Sequence, residues 1–187
     1  MGNTVIESFE DIIIKNVGCG KYKGRKAALQ LIKYISGNSI VPENQKLVRY
    51  TGGYGVPGYD PDLCCEAMYI VKKLYRKTSP KLRCIYHFII SFPACIDDIN
   101  IVKLTAIDLC QYFYYKNYQC MYGVHNDTEN LHIHIAVNST SFISGKQMDL
   151  SINELKTLTN DLKKRAFGIL KENSFWNNFK LLPLHWI

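Results

Sequence analysis

An α+β fold, a mainly antiparallel sheet with helices packed on it, is predicted from three observations. The segment LHIHIAVN (131–138) alternates apolar and polar positions, the period of a strand buried on one face. RKAALQLIKYIS (25–36) instead repeats its apolar residues with a helical period. A chain of 187 residues with 47% hydrophobic content can bury one substantial core. One domain spanning 1–187 is therefore expected, either whole or as the N-terminal part of a longer protein.

The elements follow in order. Residues 4–15 predict a first strand ending in Ile12-Ile13-Ile14, and GCGKYKG (18–24) a basic loop. The helix over 25–36 puts Ala27, Leu31, Tyr34 and Ile35 on one side, and Gly37 ends it. TGGYGVPGYDP (51–61) has the Gly and Pro content of a loop. A helix over about 61–77 ends in Lys72, Lys73, Arg76 and Lys77, where cations suit the helix dipole. CIYHFIISF (84–92) is the clearest central strand, closed by Pro93. Asp97 and Asp98 can cap a helix through about Tyr115. Tyr118 to His125 reads as a strand joined to LHIHIAVN by the polar run Asn126–Asn130, a hairpin. Ser151 and Glu154 form a capping box that opens a helix to about Leu170. The order is β, α, α, β, α, β, β, α, with the helices on one side of the sheet. The aromatic stretch SFWNNFKLLPLHWI either packs on the body or marks where a longer protein was cut.

Twenty-three Lys/Arg against 16 Asp/Glu give a net charge of +7. That excess points to a polyanionic partner, nucleic acid before an anionic membrane surface. Basic clusters lie at 21–26, 72–83 and 163–165. No apolar run reaches 18 residues, and MGNTVIESFEDIII is no signal peptide, so a cytoplasmic protein with no membrane partner is expected. Seven cysteines, at 19, 64, 65, 84, 95, 110 and 120, make an odd count without a CxxC pair. They read as reduced core thiols.

The stretch VHNDTENLHIHIAVN (124–138) carries the chemistry. His132 and His134 project from the same face, roughly 7 Å apart along the strand. With His125 paired opposite His132, the loop holds six residues and all three imidazoles share that face. A slip of one residue turns His125 away. Histidines on a polar strand face are commonly solvated or structural. Three at H-x6-H-x-H instead favour convergence on one ion, with coordination positions left open for substrate. His87 alternates with Ile85 and Ile89, which suits a core residue or a partner behind the ligands better than a fourth ligand. His185 carries no motif, and Glu66 fits a solvated helix face as well as a place near the site.

All 13 tyrosines precede Gly123. Metal-assisted phosphodiester cleavage needs an activated water or a side-chain nucleophile. Tyr34, beside Lys33 on an otherwise apolar helix, is the candidate; packing beside Leu31 and Ile35 is the alternative. These residues, in this order, resemble the relaxase/mobilisation nuclease family, in particular relaxases of the VirD2-like and MobP type. The resemblance runs from about Ala27 to Arg165. Lys33-Tyr34-Ile35 matches a tyrosine at a helix end, and YHFIISFP (86–93) matches a central strand of the family. His125, Asp127, His132, His134, Asn138 and Gly145-Lys146 match its metal motif and the glycine-lysine turn that follows.

The resemblance implies the HUH endonuclease fold and a DNA relaxase that nicks one strand at an origin of transfer. Tyr34 would be the nucleophile, and His125, His132 and His134 the ligands of a divalent metal ion, Mg²⁺ or Mn²⁺. Asp127 would orient a ligand imidazole. Lys23, Arg25, Lys26 and Lys33 are expected on the DNA for their proximity to Tyr34, with Asn138 and Lys146 of the motif beside them. Single-stranded DNA, accessory relaxosome proteins and a coupling protein are the implied partners. A rolling-circle replication initiator or transposase shares the histidine motif, but such proteins typically place the tyrosine after the histidine pair. A non-catalytic module that stacks single strands has no use for three histidines. A zinc hydrolase using activated water has none for Tyr34.

Overall fold

The computed structural model describes the backbone of residues 11–17, 22–37 and 48–180, with side chains as far as Asn173. In chain order come β1 (Ile13–Val17), α1 (Gly24–Ile35), β2 (Val48–Tyr54), α2 (Pro61–Leu74), β3 (Ile85–Ser91), α3 (Ile99–Tyr115), β4 (Cys120–His125), β5 (His132–Asn138) and α4 (Ile152–Lys180). The strands form one antiparallel sheet in the order β1-β3-β5-β4-β2. The α+β class and the antiparallel sheet hold. The expected strand residues 4–10, Cys19 and the rest of 18–21, and the tail beyond Lys180 with His185 lie outside the described residues.

Helices cover both faces of the sheet, not one. On the first face, Ile133, Ile135 and Val137 of β5 pack with Phe88, Ile90, Tyr122 and Val124 beneath α3 and α4, which contribute Val102, Leu109, Phe113, Leu162 and Ala166. On the second, Ile85, Met121 and Ala136 meet Ala28, Leu31, Ile32 and Ile35 of α1 and Cys64, Cys65 and Met68 of α2. The central β5 is therefore buried at every position, not on one face only. Its polar face is closed by two helices that the alternation alone does not reveal. The buried stripe of α1 lies one position round from the expected one, with Ala28 in place of Ala27. Tyr34 is left at its margin, 42% exposed.

The largest correction is β2, which takes in residues 51–54 of the stretch 51–61 that Gly and Pro content predicts as a loop; 55–60 are irregular as expected. Gly52 is registered against Tyr122 of β4, and a Cβ there would stand 2.6 Å from the Tyr122 hydroxyl. The glycine makes room for a ring, so composition that looks like a turn serves close packing. Local signals read from sequence fare better. Asp98 accepts from the Asn100 amide at 2.9 Å at the start of α3. Ser151 and Glu154 cap α4 reciprocally, Ser151 N donating to the carboxylate at 2.8 Å and Glu154 N to the Ser151 hydroxyl at 3.3 Å. α4 runs past Leu170 to Lys180. The described cysteines are free thiols, and all but Cys95 are buried. No helix among the described residues is long and apolar enough to cross a membrane.

Lys72 is also corrected. Only 2% exposed, it does not serve the helix end in solvent but donates to Ser139 Oγ at 2.9 Å and Thr140 Oγ1 at 3.0 Å. Burial pulls its pKa down to about 8, against a smaller opposing effect of Cys84. Between about pH 8 and the ordinary lysine value the unfolded chain holds a proton that the folded chain has lost, so this group makes stability rise with pH there. Lys72→Met removes the buried charge. Its advantage over the wild type in denaturant titrations should be greatest below pH 8 and shrink by about 3 kcal/mol towards pH 10.5. A difference that stays constant over that range would refute the assignment.

Candidate functional site

The β4–β5 hairpin pairs His125 opposite His132, the register that puts three imidazoles on one face. Ring centroids lie 4.4 Å apart for His125 and His134, 5.0 Å for His132 and His134, and 5.5 Å for His125 and His132. One ring nitrogen from each lies within 4.8 Å of one from each of the others. All three rings are buried.

Their hydrogen bonds test whether a metal ion fits. A neutral imidazole has one N–H and one lone pair. His125 Nε2 lies 3.0 Å from the Ile35 carbonyl, which can only accept, so the lone pair of His125 is at Nδ1. His132 Nδ1 lies 3.0 Å from the Asn130 carbonyl, which leaves its lone pair at Nε2. That Nε2 faces the Asp127 carboxylate at 3.1 Å. Two acceptors at that distance repel unless a proton or a metal cation lies with them. His134 Nε2 is buried with no hydrogen-bond partner. Burial lowers the pKa of His125, and of His134 to about 2, where the neighbouring histidines add to the effect. Burial thus favours the neutral form of His125 and His134, and the hydrogen bonds leave each of the three rings a nitrogen that can meet a divalent ion.

α1 delivers Tyr34 to this cluster. Its ring centroid lies 5.2 Å from that of His134 and 5.5 Å from that of His125. The helix end comes close because it rests on Gly123 of β4, where a Cβ would meet the Ile35 carbonyl oxygen at 2.1 Å. The same oxygen accepts from His125, so one peptide group joins the helix end to a candidate ligand. Burial, then the Asp127 charge and Tyr22, push the Tyr34 phenol above its ordinary pKa. On the histidine face, β3 is buried at Ile85 and His87 but only half-buried at Ile89 and Ser91, which are registered against His134 and His132. Next to them on β1 stand Lys15 and Ile13, both exposed. Among the described residues the cluster is covered by α1, and its β3–β1 side is the less closely packed.

The remaining expected residues are scattered. Lys33 pairs with Asp62 at 3.1 Å, Arg25 pairs with Glu66, Lys26 is exposed, and Lys23 bridges to Arg83. Asn138 is far down β5 and fully buried, donating to the Met68 carbonyl at 3.1 Å and to Gln119 at 2.8 Å, so it is structural. Lys146 is exposed in the turn after β5, beyond that same strand end. Sequence singles out Tyr22, with Tyr50 and Tyr54, only as a loop tyrosine that could also reach the site, and does not single out Lys15. Tyr22 lies in a short irregular stretch, and Lys15 reaches the histidines only through the order of strands. His87 proves to be 2.8 Å from His134, Nε2 to Nδ1, and its Nδ1 is 3.1 Å from the Tyr22 hydroxyl.

A family model described as "Relaxase: MobA/VirD2-like, nuclease domain" matches residues 34–165, most of the chain. It spans the tyrosine, the sheet from β2 onward and the three histidines. No curated protein matches the chain.

Because the helix end needs a bare α-carbon beneath it, Gly123→Ala should lift Ile35 and Tyr34 from the cluster. The expected result is a folded protein destabilised by about 1–3 kcal/mol, with Mn²⁺ affinity lowered about tenfold or more. Gly168→Ala, where an added Cβ meets nothing within 4 Å, is the control and should leave both unharmed. Wild-type Mn²⁺ binding by the folded Gly123→Ala protein would rule out this support for the ligands.

Proposed function

The chain belongs to the relaxase family of MobA/VirD2-like nuclease domains, and from that premise we propose that it nicks single-stranded origin-of-transfer DNA through a covalent bond to Tyr34. The placement of the Tyr34 ring against His125 and His134 carries this reading. A divalent ion held by His125, His132 and His134, Mg²⁺ or Mn²⁺ by availability, would polarise the scissile phosphate and offset its developing charge. The Asn130 carbonyl holds His132 through its Nδ1–H, and the Asp127 carboxylate, facing the lone-pair nitrogen, would lie beside the ion. Tyr34 Oη forms a bond to phosphorus as the bond from phosphorus to the 3′ oxygen breaks. The products are a 5′-phosphotyrosyl protein and a free 3′-hydroxyl, and the proton lost by the phenol balances the one gained by the 3′ oxygen. The new bond keeps the character of a phosphodiester, so rejoining needs no nucleotide cofactor.

The strand is held by charge and approaches from the less closely packed β3–β1 side, where Lys15 stands; Lys26 and Lys33 flank the tyrosine helix. Residues 1–187 make up one relaxase domain, whole or as the N-terminal part of a longer protein, acting in the cytoplasm during conjugative transfer or mobilisation, with accessory relaxosome and coupling proteins as partners.

Tyr34→Phe should bind DNA and Mn²⁺ like the wild type while covalent adduct falls by about 10³-fold or more. His134→Ala should lose metal-dependent cleavage and retain DNA binding. Adduct of the Tyr34→Phe protein mapped to Tyr22 would replace the nucleophile; full cleavage by His134→Ala in chelator would remove the metal site. Single-strand affinity should fall with salt at about 0.7 in log–log slope per neutralised phosphate. A flat response would reduce the +7 charge to a solvated surface.

A further inference from the structure

Resting on the reading that the three histidines hold a divalent ion, we propose that His87 is a positioning residue that fixes the third ligand. It accepts the Nδ1–H of His134 at Nε2, and it donates its own Nδ1–H to the Tyr22 hydroxyl. His134 is thereby held with its Nε2 lone pair available to the ion.

The other two ligands need no such device. His125 and His132 each meet a backbone carbonyl, and a carbonyl fixes which nitrogen carries the proton. His134 meets no carbonyl. Its Nδ1 faces another imidazole nitrogen at 2.8 Å, and an imidazole can donate or accept there. In one arrangement His87 Nε2 donates. His134 must then carry its proton on Nε2, a buried N–H without an acceptor and with no lone pair left for a metal. In the other, His134 Nδ1 donates and Nε2 is bare, so that it carries a lone pair as His125 Nδ1 and His132 Nε2 do. Only the second yields three ligands.

That arrangement requires a proton on His87 Nδ1, and Tyr22 Oη is there to accept it at 3.1 Å. Both rings are held in place by contact: His87 lies 5.1 Å from His134, nearly parallel, and 5.7 Å from Tyr22, edge to face. Tyr22 is itself anchored, since its carbonyl accepts from the Cys84 amide at 2.8 Å just before β3. It also lies two residues before α1, the helix that carries Tyr34. The chain Tyr22–His87–His134 thus ties the start of that helix to the ion from behind, as the Ile35 carbonyl ties its end through His125.

The test uses Mn²⁺ titration of the metal-free protein, with folding followed by denaturant, and ¹⁵N-histidine spectra with Zn²⁺ as a diamagnetic probe. His87→Phe keeps a ring but cannot accept, and should weaken Mn²⁺ binding 10- to 100-fold. His87→Gln offers an acceptor oxygen and should recover most of that loss, which a role in packing alone does not predict. Tyr22→Phe should cost less than His87→Phe. The wild-type Zn²⁺ spectrum should show His134 protonated at Nδ1. Wild-type affinity in a folded His87→Phe protein, or a His134 proton on Nε2 in the Zn²⁺ form, would overturn the proposal. Should His87→Phe not fold, the spectrum and His87→Gln decide. His134→Ala separates the two levels: unchanged Mn²⁺ affinity there would mean that the three-histidine site itself is wrong, and the relay falls with it.

Discussion

Side chains alternate along a strand, so the pairing of His125 with His132 decides which face of the sheet each histidine occupies. A slip of one residue would send His125 into the apolar layer beneath α3 and α4. A polar loop of six residues is a loose guide to register. The apolar layer is a strict one: Val124 is registered against Ile133 and Tyr122 against Ile135, with Phe88 and Ile90 alongside on β3. The slip would move those residues out of the layer beneath α3 and α4 and put imidazoles in their place, at a cost of up to about 1.5–3 kcal/mol for each large side chain displaced. Packing on one face thus positions the chemistry on the other.

That chemistry needs a second element brought to within bonding range, and the helix end does this through backbone. Gly123 lets the Ile35 carbonyl sit on the sheet, and the carbonyl fixes both the height of Tyr34 and the tautomer of His125. A side chain doing the same work would lose rotamer entropy on folding. A helix-terminal carbonyl is an acceptor with no partner inside the helix, so its use here also satisfies a group that would otherwise be left unpaired. On the opposite side β3 is half-buried at Ile89 and Ser91, less closely covered than the ligands themselves.

What could be read from the sequence was whatever depends on near neighbours. The alternation in LHIHIAVN, the Asp98 cap and the Ser151–Glu154 box involve residues within a few positions of one another, and each appears as expected. The histidine register was legible because two alternating strands and a short loop leave few pairings. Distant partners were not legible. Gly52 is explained only by the Tyr122 ring, Lys72 only by Ser139 and Thr140, and Asn138 only by Met68 and Gln119. Asn138 shows the limit of a motif: its place in the family pattern suggested DNA, while its bonds hold α2 and the start of β4 to the end of β5. The second layer of helices was missed for the same reason, since a strand face lined by His, Ala and Asn looks solvated until Ile32 and Met68 are seen above it.

Burial has two effects of opposite sign at the site. It keeps His125 and His134 neutral and so preserves their lone pairs. It also denies Tyr34 any positive neighbour among them, while Asp127 places a negative one close by, and the phenol is harder to ionise than a tyrosine in water. Lys33, adjacent in sequence, is committed to Asp62. The described groups around Tyr34 therefore favour its protonated form. In the proposed reaction only a cation among the histidines reverses that balance, and the neutral ligands would pass its charge to Tyr34 undiminished, across a medium less polarisable than water. The same burial that raises the phenol in the metal-free protein is what would make it respond strongly to occupancy, so in the proposed reaction cleavage would be tied to the ion by electrostatics and would need no moving part.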